Sequence, residues 1–159
     1  MTIPRFLTQA MKLLEEAENE PRLNYRLAAV VVRGGSVIGT GLNFYDCKSW
    51  ATKMSSVAIR GGAVPKNSKY VNTHAEMAAV YDAVKKTGDV AGAKIYVARL
   101  SKSGEFASAK PCEVCQAILY RYGVRKAVFS IDASYYGCIR IKKGGCFTEE
   151  KRLVKEIKP

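Results

Sequence analysis

Two stretches of this chain hold residues whose types and spacing could do chemistry: His74-Ala75-Glu76 and Pro111-Cys112-Glu113-Val114-Cys115. Cys112 and Cys115 stand three apart, which on a helix makes them neighbours on one face. In the first turn of that helix the positive end of the peptide dipoles favours thiolate. His74, the sole histidine, also stands where a helix should begin. If both helix starts converge at one edge of a sheet, an imidazole nitrogen and two thiolates form a three-ligand zinc site whose fourth position is open to water. Bound zinc lowers the pKa of that water toward about 7 and gives hydroxide at neutral pH. Glu76 lies two residues beyond His74, off the ligand position but in the same turn, where a carboxylate can shuttle protons to and from the water.

Blander readings exist for each motif. A lone histidine is more often a surface or core residue than a ligand, and C-x-x-C alone is also a redox pair or half of a structural zinc site. The chain has no second C-x-x-C and no second histidine to close a four-ligand site. The two motifs together therefore favour an open, catalytic zinc site. A fourth protein ligand, for which Cys47 is the nearby candidate, would instead make a non-catalytic zinc-containing binding module. Glu76 argues against that, because a structural site has no use for a proton shuttle. Cys138 and Cys146 read as core or incidental.

The elements that must position these motifs are legible in outline. Apolar residues at Phe6, Leu7, Ala10, Met11, Leu14 and Ala17 give residues 5–18 a helical period, with Pro4 at the first helical position and Pro21 as terminator. Leu27–Val32 and Ser36–Thr40 flank Gly34-Gly35 as a β-hairpin. Residues 44–72 form a long basic loop with Trp50, Tyr70, Gly61-Gly62 and Pro65, and a short helix near Ser49–Ile59. His74–Lys86 is helical and stops at Gly88; Lys94–Ala98 is a strand, followed by a loop over 99–110. Pro111 opens a helix to about Tyr122, and Ala127–Ile131 is a strand parallel to the preceding one. Asp132–Gly137 is too short for a crossover helix, so the last strand, Cys138–Lys142, runs antiparallel. Thr148 then caps a short basic helix with Leu153, Val154 and Ile157 on one face. The expected fold is a three-layer α/β/α sandwich around one mixed five-stranded sheet, with residues 1–159 forming one domain.

Composition sets the outer limits. The 159 residues are 48% hydrophobic and 25% charged, enough for a packed core. No apolar run approaches the roughly 20 residues that span a bilayer. Met1–Lys12 lacks the apolar block of a secretory signal, and five cysteines are an odd count for a disulfide framework, so reduced thiols in the cytoplasm are expected. Lys and Arg outnumber Asp and Glu by 26 to 14, a net charge of +12 that suits a phosphate-bearing ligand and also simple solubility.

The paired motifs resemble the H-x-E…P-C-x-x-C signature of zinc nucleobase deaminases, and the chain is similar to the cytidine/deoxycytidylate deaminase superfamily from Leu27 to Ser130, about two-thirds of its length. The hairpin ending in Gly41-Leu42-Asn43 resembles that family's Gly-x-Asn element. The resemblance implies one catalytic Zn2+ on His74, Cys112 and Cys115, with Glu76 as proton shuttle. It also implies substrate contacts from Asn43, Ala75 and Pro111. Residues 109–115 and Tyr136-Gly137 look like small deaminase-like proteins of bacteriophages, which would act in the host cytoplasm. Free-nucleoside cytidine deaminases carry Cys at the position of His74; the His form is similar to deoxycytidylate, tRNA-adenosine and polynucleotide cytosine deaminases. Where tRNA-adenosine deaminases typically have Glu before the Pro, this chain has Lys110.

Two substrate classes follow. A cytosine nucleotide such as deoxycytidylate, converted to uracil, needs a phosphate clamp that Lys48, Lys53, Arg60 or Lys110 could supply. A cytosine or adenine in single-stranded DNA or RNA needs a basic track and stacking aromatics: Trp50, Tyr70, Tyr135 and Tyr136 among Arg140, Lys142, Lys143 and the C-terminal Lys151, Arg152, Lys155 and Lys158. Ordinary packing accounts equally well for the tyrosines, and a solvated helix face for the terminal charges. The nucleotide is slightly favoured. Related enzymes are commonly dimers or larger, so a homo-oligomer is compatible with the resemblance.

Overall fold

Ala28 to Val32 are all buried, and the residues alternate between two separate core clusters on opposite faces of one strand. A strand covered on both faces reads as a continuous apolar run, which explains LAAVVV. The computed structural model describes residues 3–17, 25–45, 72–143 and 150–153. Along the chain run α1 (Arg5–Glu16), β1 (Tyr25–Arg33), β2 (Ser36–Leu42), β3 (Phe44–Tyr45), β4 (Asn72–Thr73), α2 (Ala75–Thr87), β5 (Lys94–Ser101), β6 (Phe106–Ala107), α3 (Glu113–Arg121), β7 (Lys126–Ser130), β8 (Tyr135–Arg140) and β9 (Glu150–Leu153).

The main sheet has the order β2-β1-β5-β7-β8-β9, with β6 paired onto β5, and β3–β4 form a separate two-stranded ladder. Among the described strands only β5 and β7 are parallel, joined through α3; the remaining pairs are antiparallel. Leu7, Ala10, Met11 and Leu14 of α1 pack on one face, while α2 and α3 cover the other. This is the expected mixed α/β/α sandwich. Among the described residues no helix is long and apolar enough to cross a membrane.

The structure adjusts several details. Pro4 precedes α1, its carbonyl accepting from Leu7 N–H at 2.9 Å and Thr8 N–H at 3.1 Å, and is not the first helical residue. β8 is antiparallel as expected but begins at Tyr135, because Asp132 Oδ1 accepts from the N–H groups of Ser134 (2.7 Å) and Tyr135 (2.9 Å) and closes a tight turn. Residues 150–153, expected within a short C-terminal helix, form β9 and extend the sheet beyond β8. The open hydrogen-bonding edge of β8 outweighs a weak helical period.

Gly34 and Gly35 have φ of +60° and +75°, the paired positive values that a two-residue hairpin turn requires. Gly39 and Gly41 serve another purpose. A Cβ at Gly39 would stand 2.6 Å from the Ala79 carbonyl oxygen, and one at Gly41 would stand 2.7 Å from the Ala75 oxygen and overlap the Ala79 nitrogen. Ala75, Ala79 and Ala83 recur every fourth residue, so the backbones of β2 and α2 can nearly touch. Asp82 fastens the contact, its Oδ2 accepting from the Thr40 N–H at 2.9 Å and from Lys86 Nζ at 2.8 Å.

Two outcomes follow from this contact. Gly41→Ala forces overpacking against α2 backbone and should cost about 1–3 kcal/mol in urea unfolding; a change within ~0.5 kcal/mol would show that the layers separate freely. Burial pushes the Asp82 carboxyl up, but Lys86, the Thr40 N–H and Lys85 outweigh it and hold it below the usual aspartate value. Its stabilisation is therefore present above the unfolded pKa and fades as pH falls through the lowered folded one. The stability gap between the native chain and Asp82→Asn should shrink as pH drops below about 4; a gap constant across that range would remove the carboxylate from the account.

Candidate metal centre and its pocket

His74 is the residue just before α2, with an extended backbone (φ −72°, ψ 145°). Its approach is held by the β3–β4 ladder, in which Phe44 pairs with Thr73, so the chain leaves the pocket rim at Tyr45 and returns to it at Asn72. Cys112 holds the equivalent place before α3. Its Sγ accepts from the Cys115 N–H at 3.4 Å, as a serine does at a helix N-cap. Cys112 is thus a cap rather than a first-turn residue, while Cys115 lies within the turn. The segment that delivers Cys112 is pinned by Ala109 N–H to the Ser130 carbonyl (2.8 Å) and by Gln116 Nε2 to the Pro111 carbonyl (2.6 Å). Both ligand-bearing helix starts meet at the end of the sheet where β5 and β7 terminate.

His74 Nδ1 lies 3.2 Å from Cys115 Sγ and 3.7 Å from Cys112 Sγ, and all three ligand atoms fall within 4.8 Å of one another. With zinc–nitrogen and zinc–sulfur bonds near 2.0 and 2.3 Å, a tetrahedral ion separates nitrogen from sulfur by about 3.5 Å and the two sulfurs by about 3.8 Å. The residues therefore fit zinc, with three protein donors and one position left over. Among the described residues nothing else joins the cluster; Cys47 lies outside them.

Cys112 is pulled down to about 4 by the hydrogen bond from Cys115, helped by His74, against the effect of burial. The same hydrogen bond and burial push the Cys115 thiol up. The hydrogen bond to Cys112 raises His74, burial opposes it, and Glu76 adds to it. Zinc binding requires both sulfurs as thiolates, so it displaces thiol protons from the pair. Glu76 is 3% exposed and burial raises its pKa, with the nearby His74 opposing.

A pocket of ≈ 230 Å³ opens beside the cluster, lined by His74, Ala75, Glu76 and Cys112. Asn43, Leu27, Lys110, Tyr25, Ser108 and Arg99 complete its described wall, together with Thr73 and Ala109. Asn43 is tied to β1: Oδ1 accepts from Leu27 N–H at 2.7 Å and Nδ2 donates to the Tyr25 carbonyl at 3.1 Å, an added rung at the end of the ladder. Pro111 is buried behind the lining. Tyr136 is 5% exposed and packs in the α1-side core with Cys138, so its ring is taken up by packing; Tyr135 is exposed on β8 and does not line the pocket. Lys48, Lys53 and Arg60, with Trp50, Tyr70 and Cys146, lie outside the described residues. Arg140 and Lys142 line a separate cavity at the opposite end of the sheet, with Lys94 and Lys126. Arg99 was hidden in the sequence because residues 99–110 read as loop. The available signal was the alternation Ile95, Val97, Arg99, which continues the buried face of β5.

A family model described as the cytidine and deoxycytidylate deaminase zinc-binding region matches residues 2–131. The chain belongs to this family, with zinc as its cofactor. The cytidine deaminase of Burkholderia pseudomallei is similar in fold, with a TM-score of 0.52 and 18% identity over 94% of this chain and 92% of that one. The dCMP deaminase of the cyanophage S-TIM5, solved in complex with dCMP and dUMP, aligns with a TM-score of 0.48 and 18% identity over 78% of this chain and 76% of that one. No curated protein sequence matches the chain significantly.

Cys112→Ala should lower bound zinc from about one ion per chain to near zero while far-UV circular dichroism still reports a folded sheet. A variant that keeps its metal by emission spectroscopy would rule out the three-residue ligand set.

Proposed function

We propose that this member of the family hydrolyses the exocyclic amine of cytosine in a free nucleotide, deoxycytidylate being the type substrate. The observation that carries this reading is the placement of a buried carboxyl, Glu76, in one pocket with the metal ligands His74 and Cys112. A zinc on the three ligands supplies the Lewis acid that makes water a nucleophile at neutral pH.

The remaining work falls to the chain itself. Glu76 takes the proton that the water loses and delivers it to the ring nitrogen next to the attacked carbon. Oxygen then bonds to that carbon. The carbon–nitrogen bond to the amine breaks as a proton reaches the amine through Glu76, and ammonia leaves. A carboxyl whose pKa is raised by burial suits this cycle, since it must hold a proton as well as accept one. The ring of β1, Asn43 and the α2 start walls the base in.

A free nucleotide is favoured over a strand by where the cations lie. Lys94, Lys126, Arg140 and Lys142 surround the far cavity, about 16 Å along β5 from Arg99 at the usual strand rise. They cannot lead a strand into the Glu76 pocket. The cations lining that pocket among the described residues are Arg99 and Lys110.

The reading is tested with zinc-loaded protein offered cytidine, deoxycytidine, their monophosphates, and single-stranded DNA and RNA at two salt concentrations. Turnover of a monophosphate with oligonucleotides untouched is expected. Turnover of strands alone, falling steeply with salt as counterion release demands, would overturn the nucleotide assignment. Glu76→Gln should keep zinc and lose about 10²–10⁴-fold in kcat; near-normal turnover would remove Glu76 from the proton path.

A further inference from the structure

Arg99 is a cation built into the pocket wall and has no ion-pair partner among the described residues. It lies on β5 opposite Leu27, and its guanidinium stacks over the Tyr25 ring at 4.4 Å from the centroid. Nη1 donates to the Ser108 carbonyl at 3.3 Å. Its backbone N–H donates to Ser130 Oγ at 3.1 Å, and that fully buried hydroxyl donates in turn to the Ala107 carbonyl at 2.8 Å. Arg99 Nε is buried and has no hydrogen-bond partner. The ion pairs among the described residues are Arg33–Asp89 and Lys86–Asp82, and neither involves Arg99.

Such an arrangement is expensive for a purely structural side chain. A guanidinium drawn partly out of water needs a counter-charge. Here the stack on Tyr25 and the bond to Ser108 hold the plane of the group, and among the described residues no side-chain anion pairs with it. Nε is enclosed, so the Nη donors not used by Ser108 are the ones left, at the end of the planar group, for the oxygens of one anion. Fixing the group beforehand lowers the ordering cost of binding.

The geometry points to Arg99 as the specificity residue that reads a phosphate monoester on the substrate, across the pocket from Glu76. This rests on the reading of the pocket as a cytosine-nucleotide site. The base lies against Ala75 and Glu76, the sugar spans the middle, and the 5′-phosphate meets the guanidinium. Selection of nucleotide over nucleoside is then a property of β5, an element that holds no metal ligand.

The test compares zinc-loaded native protein with Arg99→Gln and Arg99→Lys. Titration calorimetry uses deoxyuridine 5′-monophosphate and deoxyuridine, and turnover uses deoxycytidine 5′-monophosphate and deoxycytidine. Arg99→Gln should lower the preference for the phosphorylated over the unphosphorylated ligand by roughly 10- to 100-fold, in both binding and kcat/KM, with Arg99→Lys in between. An equal loss with both ligands marks a merely structural role and overturns the inference, as does an unchanged preference. If no cytosine compound is turned over, the deaminase substrate reading fails separately. Deoxyadenosine 5′-monophosphate against deoxyadenosine then decides the subsite: an Arg99-dependent preference for the phosphate sustains it, and no preference overturns it.

Discussion

One nitrogen and two sulfurs, from residues far apart in the chain, must come within about 3.5–3.8 Å of one another, and the layering of the protein follows from that demand. A helix start is the efficient way to deliver such atoms. The residue before the helix has an extended backbone and a free side-chain direction, and the first turn behind it is rigid. The chain uses this device twice, at His74 and at Cys112. The two helices must then lie side by side on one face of the sheet, both with their starts at the same end. The parallel β5–β7 pair provides this for α3, since a parallel connection returns the chain to the same starting end. For α2, the small residues of β2 and of the helix itself do it.

The electrostatics of the cluster depend on the same arrangement. The outer sulfur accepts a backbone N–H; the inner sulfur is fully buried. Glu76 is buried one residue into α2 beyond Ala75, near the imidazole yet outside the ligand set. His74 and Glu76, two residues apart at one helix start, both line the pocket, and of the two His74 belongs to the three-residue ligand cluster. Ser130 connects this chemistry to the sheet. It fixes the backbone of Arg99 and of Ala107 with its hydroxyl and takes the Ala109 N–H on its carbonyl, so the segment entering Cys112 and the strand carrying Arg99 share one anchor.

What could be read from the sequence was local. The hairpin at Gly34-Gly35, the two helix starts, and the ligands His74, Cys112 and Cys115 each carry their signal within a few residues. What could not be read depended on pairing across the sheet. Arg99 belongs to β5 because Leu27 lies opposite it, and β9 exists because β8 has an open edge. The side of the sheet on which Tyr136 falls is a matter of strand phase, and a shift of one residue exchanges core and surface. Asn43 lines the pocket, and its amide also bridges the Leu27 N–H and the Tyr25 carbonyl of β1, a use visible only once the two strands are side by side.

The far cavity adds a property of another kind. Lys94, Lys126 and Arg140 are register partners on three successive strands, β5, β7 and β8, at backbone spacings of about 4.8 Å. Like charges so placed repel, and none of the three has an ion pair among the described residues. Salt relieves this row, so that end of the sheet gains stability as ionic strength rises, in contrast to a surface held by opposite charges, which salt weakens.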